Sequence, residues 1–253
     1  MGWSSDSIDL DDWMKIYCEA RYGGYPDAME EAWKLFRKTA YSSLYSYPRF
    51  TWQTVIPDQR RISKIDLSDD YLQAIRLYAS CADELKSSEL YRNDLIEFVS
   101  YYVAAKAENF YKQALKDDSE NRVLAAQRNL QQTVDLLMDV DRLLASHPLY
   151  RLEEWVELAR NSGTTLQEKD AYEANAKRLI TSWGGIQEDY AARFWSGLIK
   201  DYYIPRIQLY FTKDRNKIRE WEEQWITSPW SNSTTPFDDP VKAALNLIEK
   251  TNK

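Results

Sequence analysis

The sequence predicts an all-α fold: an antiparallel bundle of long helices with shorter helices packed on it and one long irregular loop. Apolar residues recur three and four positions apart along most of the chain, and no segment alternates with a period of two. Only seven of the 253 residues are glycine. Doubly wound sheets and β-sandwiches use glycine at many turns, so this scarcity argues against both. We expect one all-helical domain over residues 1–253.

The first elements are two short helices and the loop. Ser7 is expected to cap a helix over residues 9–22, which ends at a glycine pair. Pro26 then opens a second helix near its first position, where a missing N–H costs nothing. Residues 46–66 contain two prolines and no clear period, which predicts an irregular loop.

Three long helices follow and are expected to form the antiparallel bundle, joined by short turns. The first starts at Ser68, the second covers residues 89–117, and the third covers residues 119–146, where leucine and valine recur seven positions apart. His147 stands before a proline at the end of the third helix. We therefore expect it to cap the helix rather than to catalyse a reaction.

Shorter helices fill the rest of the chain. Thr165 and Glu168 match a capping box at the start of one of them. Pro205 is expected to interrupt or kink another, and residues 228–240, with three prolines, read as a loop. The predicted helices cover about residues 152–160, 165–181, 187 to beyond Pro205, and 241–250.

Composition excludes several classes of function. The formal net charge is -7 and no basic block occurs, so nucleic-acid binding is not expected. One histidine and two cysteines outside any CxxC spacing give little material for a metal site or a disulfide framework, and no metal or cofactor is expected. No apolar run approaches a membrane span, and the N-terminal residues do not resemble a signal peptide.

The acidic residues do not by themselves indicate a catalytic pair. Several cluster at helical spacing beside basic residues, which is typical of solvated helix faces: Glu153, Glu154, Glu157, Glu220, Glu222 and Glu223. The sequence also offers no serine or cysteine nucleophile with a plausible base and no glycine-rich phosphate loop. We therefore assign no catalytic residue in this chain.

One stretch has the composition of a binding site. Trp183 stands directly before a glycine pair, and Tyr190 follows seven residues later. A flat indole beside a flexible loop can receive the apolar C–H face of a sugar, and a tyrosine hydroxyl can bond to its polar groups. The alternative is that both rings join a core already rich in aromatic residues.

Several motifs in a shared order resemble the C-terminal region of glycoside hydrolase family 89, the α-N-acetylglucosaminidases. The resemblance runs from about residue 10 to residue 211. The motifs are Leu143-Leu144-Ala145-Ser146, Glu168-Lys169-Asp170, Leu179-Ile180-Thr181-Ser182-Trp183-Gly184, Asp189-Tyr190-Ala191, Trp195-Ser196-Gly197-Leu198 and Asp201-Tyr202-Tyr203-Ile204-Pro205-Arg206.

The resemblance implies an exo-acting, retaining glycosidase whose two catalytic carboxylates lie on a TIM barrel that precedes the helical region. This chain lacks the strand–helix pattern of that barrel, so it is not expected to turn over alone. Its implied partners are the catalytic barrel of the same protein and a glycan with terminal α-linked N-acetylglucosamine. Trp183 and Tyr190, with Gln187 or Ile186 from the loop between them, are implied to form part of the sugar pocket wall. The resemblance also implies a location outside the cytoplasm, periplasmic, secreted or lysosomal.

The alternative function is a free-standing helical carbohydrate-binding or protein-interaction module without catalysis. A free module is expected to be polar over its whole surface. A domain that packs on a barrel is expected to expose a large apolar patch when it stands alone. Such a patch is therefore the feature that separates the two functions.

Overall fold

The structure, a computed structural model, describes residues 7–42, 50–54, 69–183, 191–231 and 233–251. These residues form α-helices, a 3₁₀ turn (Thr51–Gln53) and a π-helical segment (Ile199–Tyr203), and the one bridge between extended residues is isolated. The all-α prediction is confirmed. The helices are α1 (Leu10–Tyr22), α2 (Asp27–Lys38), α3 (Asp69–Ser80), α4 (Ala82–Leu85), α5 (Glu89–Ser119), α6 (Val123–Leu144), α7 (Leu152–Asn161), α8 (Leu166–Leu179), α9 (Ile204–Tyr210), α10 (Arg215–Thr227) and α11 (Pro240–Lys250).

Two helix starts differ slightly from the prediction. Asp9, not Ser7, caps α1, because its carboxylate accepts the backbone N–H groups of Asp11 and Asp12. Pro26 lies directly before α2 rather than inside it, with an extended ψ of 155°. The start of α8 is confirmed, since its first residues form the predicted capping box.

Helices α5 and α6 pack antiparallel, as predicted. The Asn129 amide of α6 donates to Asp117 of α5 at 2.7 Å, and one turn later Thr133 reaches back to the carbonyl of Ala107. The predicted start of α6 is wrong by four residues. Asn121 adopts a left-handed φ of 59°, which ends α5 and reverses the chain, so that α6 begins only at Val123.

The predicted helix from residue 187 is wrong for residues 191–197, which are not helical. Ser196 instead exchanges backbone hydrogen bonds with Tyr150 and Leu152. The chain then enters the π-helical segment, whose following residue, Ile204, donates its N–H to the Ile199 carbonyl. Pro205 comes next, in the first turn of α9, where its missing N–H is tolerated and where the π-helical segment gives way to an α-helix.

The chain divides into two compact units: residues 1–45, 66–99 and 239–253 form the first, and residues 46–65 and 100–238 form the second. The first has an aromatic core in which Tyr22, Tyr78 and Tyr91 are in mutual contact. The second is centred on buried leucine and valine of α6 and on the tyrosines around the π-helical segment. The expectation of one domain stays a prediction.

Candidate functional site

Trp183 is the one predicted site residue that the structure describes. It ends the turn that follows α8, and its side chain is 40% exposed. The ring is therefore not enclosed in an aromatic core. Ile186, Gln187 and Tyr190 lie outside the described residues.

The turn that carries Trp183 is firmly anchored. The buried Thr181 hydroxyl donates to the Lys177 carbonyl at 2.7 Å. The Lys177 ammonium is itself buried, donates to the Trp225 carbonyl at 2.8 Å, and lies 3.2 Å from the Glu173 carboxylate. Burial lowers the pKa of Lys177, and the nearby Glu173 carboxylate opposes this effect. The exposed Trp183 indole is therefore carried by a turn that buried hydrogen bonds hold in place.

The described chain resumes at residue 191 and is also held in place. Phe194 packs against Phe50 and Trp52, with ring centroids 5.8 and 6.3 Å away. The Arg193 carbonyl accepts a hydrogen bond from the Tyr203 hydroxyl at 3.0 Å. Both ends of the predicted sugar-binding loop are therefore fixed by the second unit.

A buried ionic network lies below this segment. Arg206, 2% exposed, donates to the Gln53 carbonyl at 2.7 Å and to the Glu222 carboxylate at 3.1 Å. The Tyr202 hydroxyl donates to the same carboxylate oxygen at 2.7 Å. The prediction that Glu222 is solvated is wrong. The sequence does contain an indication that Glu222 is buried. Glu222 lies four residues from Ile218, which is buried on the same stripe of α10.

An apolar groove of about 360 Å³ runs between α7 and α8. The two helices are joined by the Trp155 indole N–H, which donates to the Ala176 carbonyl at 2.9 Å. Leu158 in this groove is 66% exposed. Leu179 ends the groove four residues before Trp183.

Other candidate features of the second unit have structural roles. The His147 imidazole is buried, and its Nδ1 accepts the N–H of Leu149 at 3.1 Å within the turn that follows α6, so the role of His147 as a helix cap stays a prediction. Among the residues that the structure describes, no cluster of histidine, cysteine or acidic side chains is placed to hold a metal ion. No helix in the described ranges is long and apolar enough to cross a membrane.

The chain is similar to known proteins over almost its whole length. Residues 13–250 match the family model of the alpha-N-acetylglucosaminidase (NAGLU) C-terminal domain. Human alpha-N-acetylglucosaminidase is 29% identical, with 99% of this chain and 37% of that protein covered. Structures of a family 89 glycoside hydrolase from Clostridium perfringens, one with PUGNAc and one with the substrate GlcNAc-alpha-1,4-galactose, superpose with a TM-score of 0.84 at 22% identity. Each superposition covers 98% of this chain but only 32% of the solved chain.

Proposed function

We propose, since the chain belongs to the family of α-N-acetylglucosaminidase C-terminal domains, that it is the helical domain of an exo-acting, retaining α-N-acetylglucosaminidase. In this role it packs on the catalytic TIM barrel of the same protein and supplies part of the wall of the pocket for the terminal sugar. The two catalytic carboxylates of the retaining mechanism belong to the barrel. The chain therefore helps to bind and position the terminal sugar, and it does not hydrolyse the glycoside by itself.

The observation that carries this proposal is the exposed ring of Trp183 on its buried turn. An indole exposed at a fixed position offers a flat apolar surface at little entropic cost on binding. The C–H face of a pyranose fits such a surface. Tyr190 is proposed to add a hydroxyl, and Gln187 or Ile186 a loop contact, to the same wall.

The apolar groove between α7 and α8 supports the domain over the free-standing module. Exposed apolar side chains of Leu158, Leu166 and Tyr172 lie on these two helices. Leu158 and Tyr172 line the groove itself, and we take this exposed apolar surface as the face that meets a partner. The matched relatives are about three times as long as this chain. We therefore take the catalytic barrel as the partner that covers the groove.

The glycan partner follows from the same proposal. It carries a terminal α-linked N-acetylglucosamine, as does the GlcNAc-alpha-1,4-galactose in one C. perfringens structure. The full-length enzyme is proposed to act outside the cytoplasm, in the periplasm, in a secreted form or in the lysosome.

The test uses the full-length enzyme, in which this chain is joined to its barrel. Trp183→Ala and Tyr190→Phe are each expected to lower kcat/KM for an aryl α-N-acetylglucosaminide by about 5- to 150-fold, the effect of about 1–3 kcal/mol of lost transition-state binding. Leu124→Ala and Tyr41→Phe, at exposed positions of other helices and turns, are matched controls and should leave kcat/KM unchanged. Unchanged kcat/KM in both site variants would remove these residues from the pocket.

A second assay uses the 253-residue chain alone. It should not hydrolyse the aryl glycoside at any enzyme concentration, because the proposed catalytic carboxylates are on the barrel. Clear hydrolysis by the isolated chain would place catalytic groups within it and overturn the proposal.

A further inference from the structure

A polar cavity of about 380 Å³ lies in the second unit, between α8, α10 and the residues around the π-helical segment. Its volume falls in the range of about 300–1,000 Å³ that is typical of small-molecule sites. Three indole side chains and several polar groups line it, chiefly Asp201, Lys200, Trp221, Gln224, Trp225 and Trp230.

Two of the indoles are held by a tyrosine beneath them. The Trp221 ring stacks on Tyr202 at 5.6 Å, and the Trp225 ring lies 4.7 Å from the same tyrosine. Both are half-buried and line the cavity. Their orientation is therefore fixed by packing, and little rotamer freedom is lost when a ligand contacts them.

The Asp201 carboxylate has hydrogen-bonding capacity left over. Its side chain is only 15% exposed, yet it accepts one hydrogen bond among the described residues, from the Trp230 indole N–H at 3.2 Å. The Lys200 ammonium is 3.8 Å away. An ionised carboxylate can accept about four hydrogen bonds. A largely buried carboxylate with so few donors is unusual, because buried polar groups are normally satisfied.

The neighbouring carboxylate of Asp141 shows the contrast. It is fully buried, but it accepts the N–H groups of Gly197 at 2.8 Å and Lys200 at 3.1 Å, and the hydroxyl of Thr234 at 2.6 Å. These hydrogen bonds offset the cost of burying the Asp141 carboxylate. Two of them cap the helical segment that begins at Leu198. Asp201 lacks such donors and faces a cavity instead.

We propose that this cavity binds one pyranose unit of a glycan. The indoles of Trp221 and Trp225 receive the C–H face of the ring, and Asp201 accepts hydrogen bonds from adjacent hydroxyls. Gln224, at the exposed edge, can bond to a further hydroxyl or an acetamido group. The choice of a glycan rests on the proposed function, since a domain of a glycosidase meets sugar chains.

An organic ammonium ion is the competing ligand, because indoles and a carboxylate attract cations. Lys177 and Lys200 both line the same cavity. A further cation would be repelled by their charges at short range. The charges therefore favour a neutral sugar.

The cavity and the apolar groove use different faces of α8. Lys177 lines the cavity, whereas Ala176 and Leu179 line the groove. Residues one and two positions apart on a helix do not share a face. The cavity can therefore bind a sugar whether or not the groove is covered.

The experiment follows the indole N–H signals of the ¹⁵N-tryptophan-labelled chain by NMR during titration with GlcNAc-α-1,4-galactose, and separately with N-acetylglucosamine and galactose. The signals of Trp221, Trp225 and Trp230, assigned by single Trp→Phe variants, should shift saturably. Asp201→Asn, which keeps an acceptor for Trp230, should weaken binding about tenfold or more. Glu220→Gln removes an equal charge from the exposed side of α10 and should change nothing.

Three results would each overturn the proposal. The three indole signals could fail to shift saturably, Asp201→Asn could bind the sugar with unchanged affinity, or tetramethylammonium could bind more tightly than any sugar. Gln224→Ala, at an exposed position, is the second variant if Asp201→Asn does not fold, and it too should weaken binding.

Binding lost in Trp183→Ala would place the sugar at Trp183 and leave the proposed function standing. Unchanged binding there, with unchanged kcat/KM in the full-length Trp183 variant, would retain the cavity and refute the pocket wall.

Discussion

Replacing Glu222 by glutamine tests the buried ionic network directly. The side chains of Glu222 and Arg206 are 7% and 2% exposed, and their charged atoms lie 3.1 Å apart. Glutamine keeps the size of the side chain and can still accept the Tyr202 hydroxyl. It removes the charge, however, and leaves the Arg206 guanidinium buried without its anionic partner.

The expected cost follows from this burial. Removing one partner of a buried ion pair typically costs about 3–5 kcal/mol, and the lower end applies here because Arg206 keeps its bond to the Gln53 carbonyl. We expect the free energy of unfolding of the second unit to fall by about 3 kcal/mol. Glu223→Gln, one residue along, breaks an exposed pair with Arg178 and should cost about 0–1 kcal/mol.

Urea unfolding followed by tryptophan fluorescence and near-UV circular dichroism measures the difference. With a denaturant slope of about 3 kcal/mol per molar urea, Glu222→Gln should lower the midpoint by about 1 M, and Glu223→Gln should barely move it. A double-mutant cycle with Tyr202→Phe should show a coupling energy above about 0.5 kcal/mol. Equal midpoints for the two glutamine variants, or no coupling, would refute the assignment of a stabilising buried network.

Four further predictions concern other features of the molecule. Asn121→Ala should cost about 1 kcal/mol in urea unfolding, because alanine disfavours the left-handed φ of 59°, whereas Asn121→Gly should cost little. Cys18 and Cys81 are buried, with thiol pKa values raised by burial to about 12 and about 11, so iodoacetamide at pH 8 should modify them only after denaturation. Burial raises the pKa of Asp201 from 3.8 to about 6, so the folded state holds its proton more tightly and this carboxyl costs stability as the pH rises from about 4 to 6. Asp201→Asn should therefore gain stability relative to the wild type across that pH range in urea titrations. Leu158→Glu should lower the Tm of the full-length enzyme by several degrees and leave that of the isolated chain unchanged; an equal loss in both would contradict the proposed barrel contact.

The sequence predicts features that depend on neighbouring residues and misses those that depend on distant ones. The capping box of Thr165 and Glu168 is correctly predicted because its bonds join residues three apart. The extended segment before Leu198 is missed because Ser196 is held by the backbone of Tyr150 and Leu152, which no local pattern reveals. Tertiary hydrogen bonds override the local helical period there.

The candidate site shows the same division. The glycine pair after Trp183 predicts a ring outside regular helix packing, and that ring is 40% exposed, but its place in a sugar pocket stays a prediction. Trp221 and Trp225 lie four residues apart, and this spacing on a helix predicts a packed stripe rather than the lining of a cavity. Their contribution to a polar cavity depends on Asp201, which is reached through a different element.

The hexapeptide Asp201-Tyr202-Tyr203-Ile204-Pro205-Arg206 is part of the sequence resemblance, although none of its residues belongs to the predicted wall of the sugar pocket. Tyr203 bonds to the Arg193 carbonyl, and Arg206 bonds to the Gln53 carbonyl. The Gln53 amide in turn donates to the Arg193 carbonyl at 3.4 Å. These bonds hold the chain where it leaves the predicted sugar-binding loop. A change in the hexapeptide is therefore expected to act on the sugar pocket by moving this support, since none of these bonds requires a contact with the sugar.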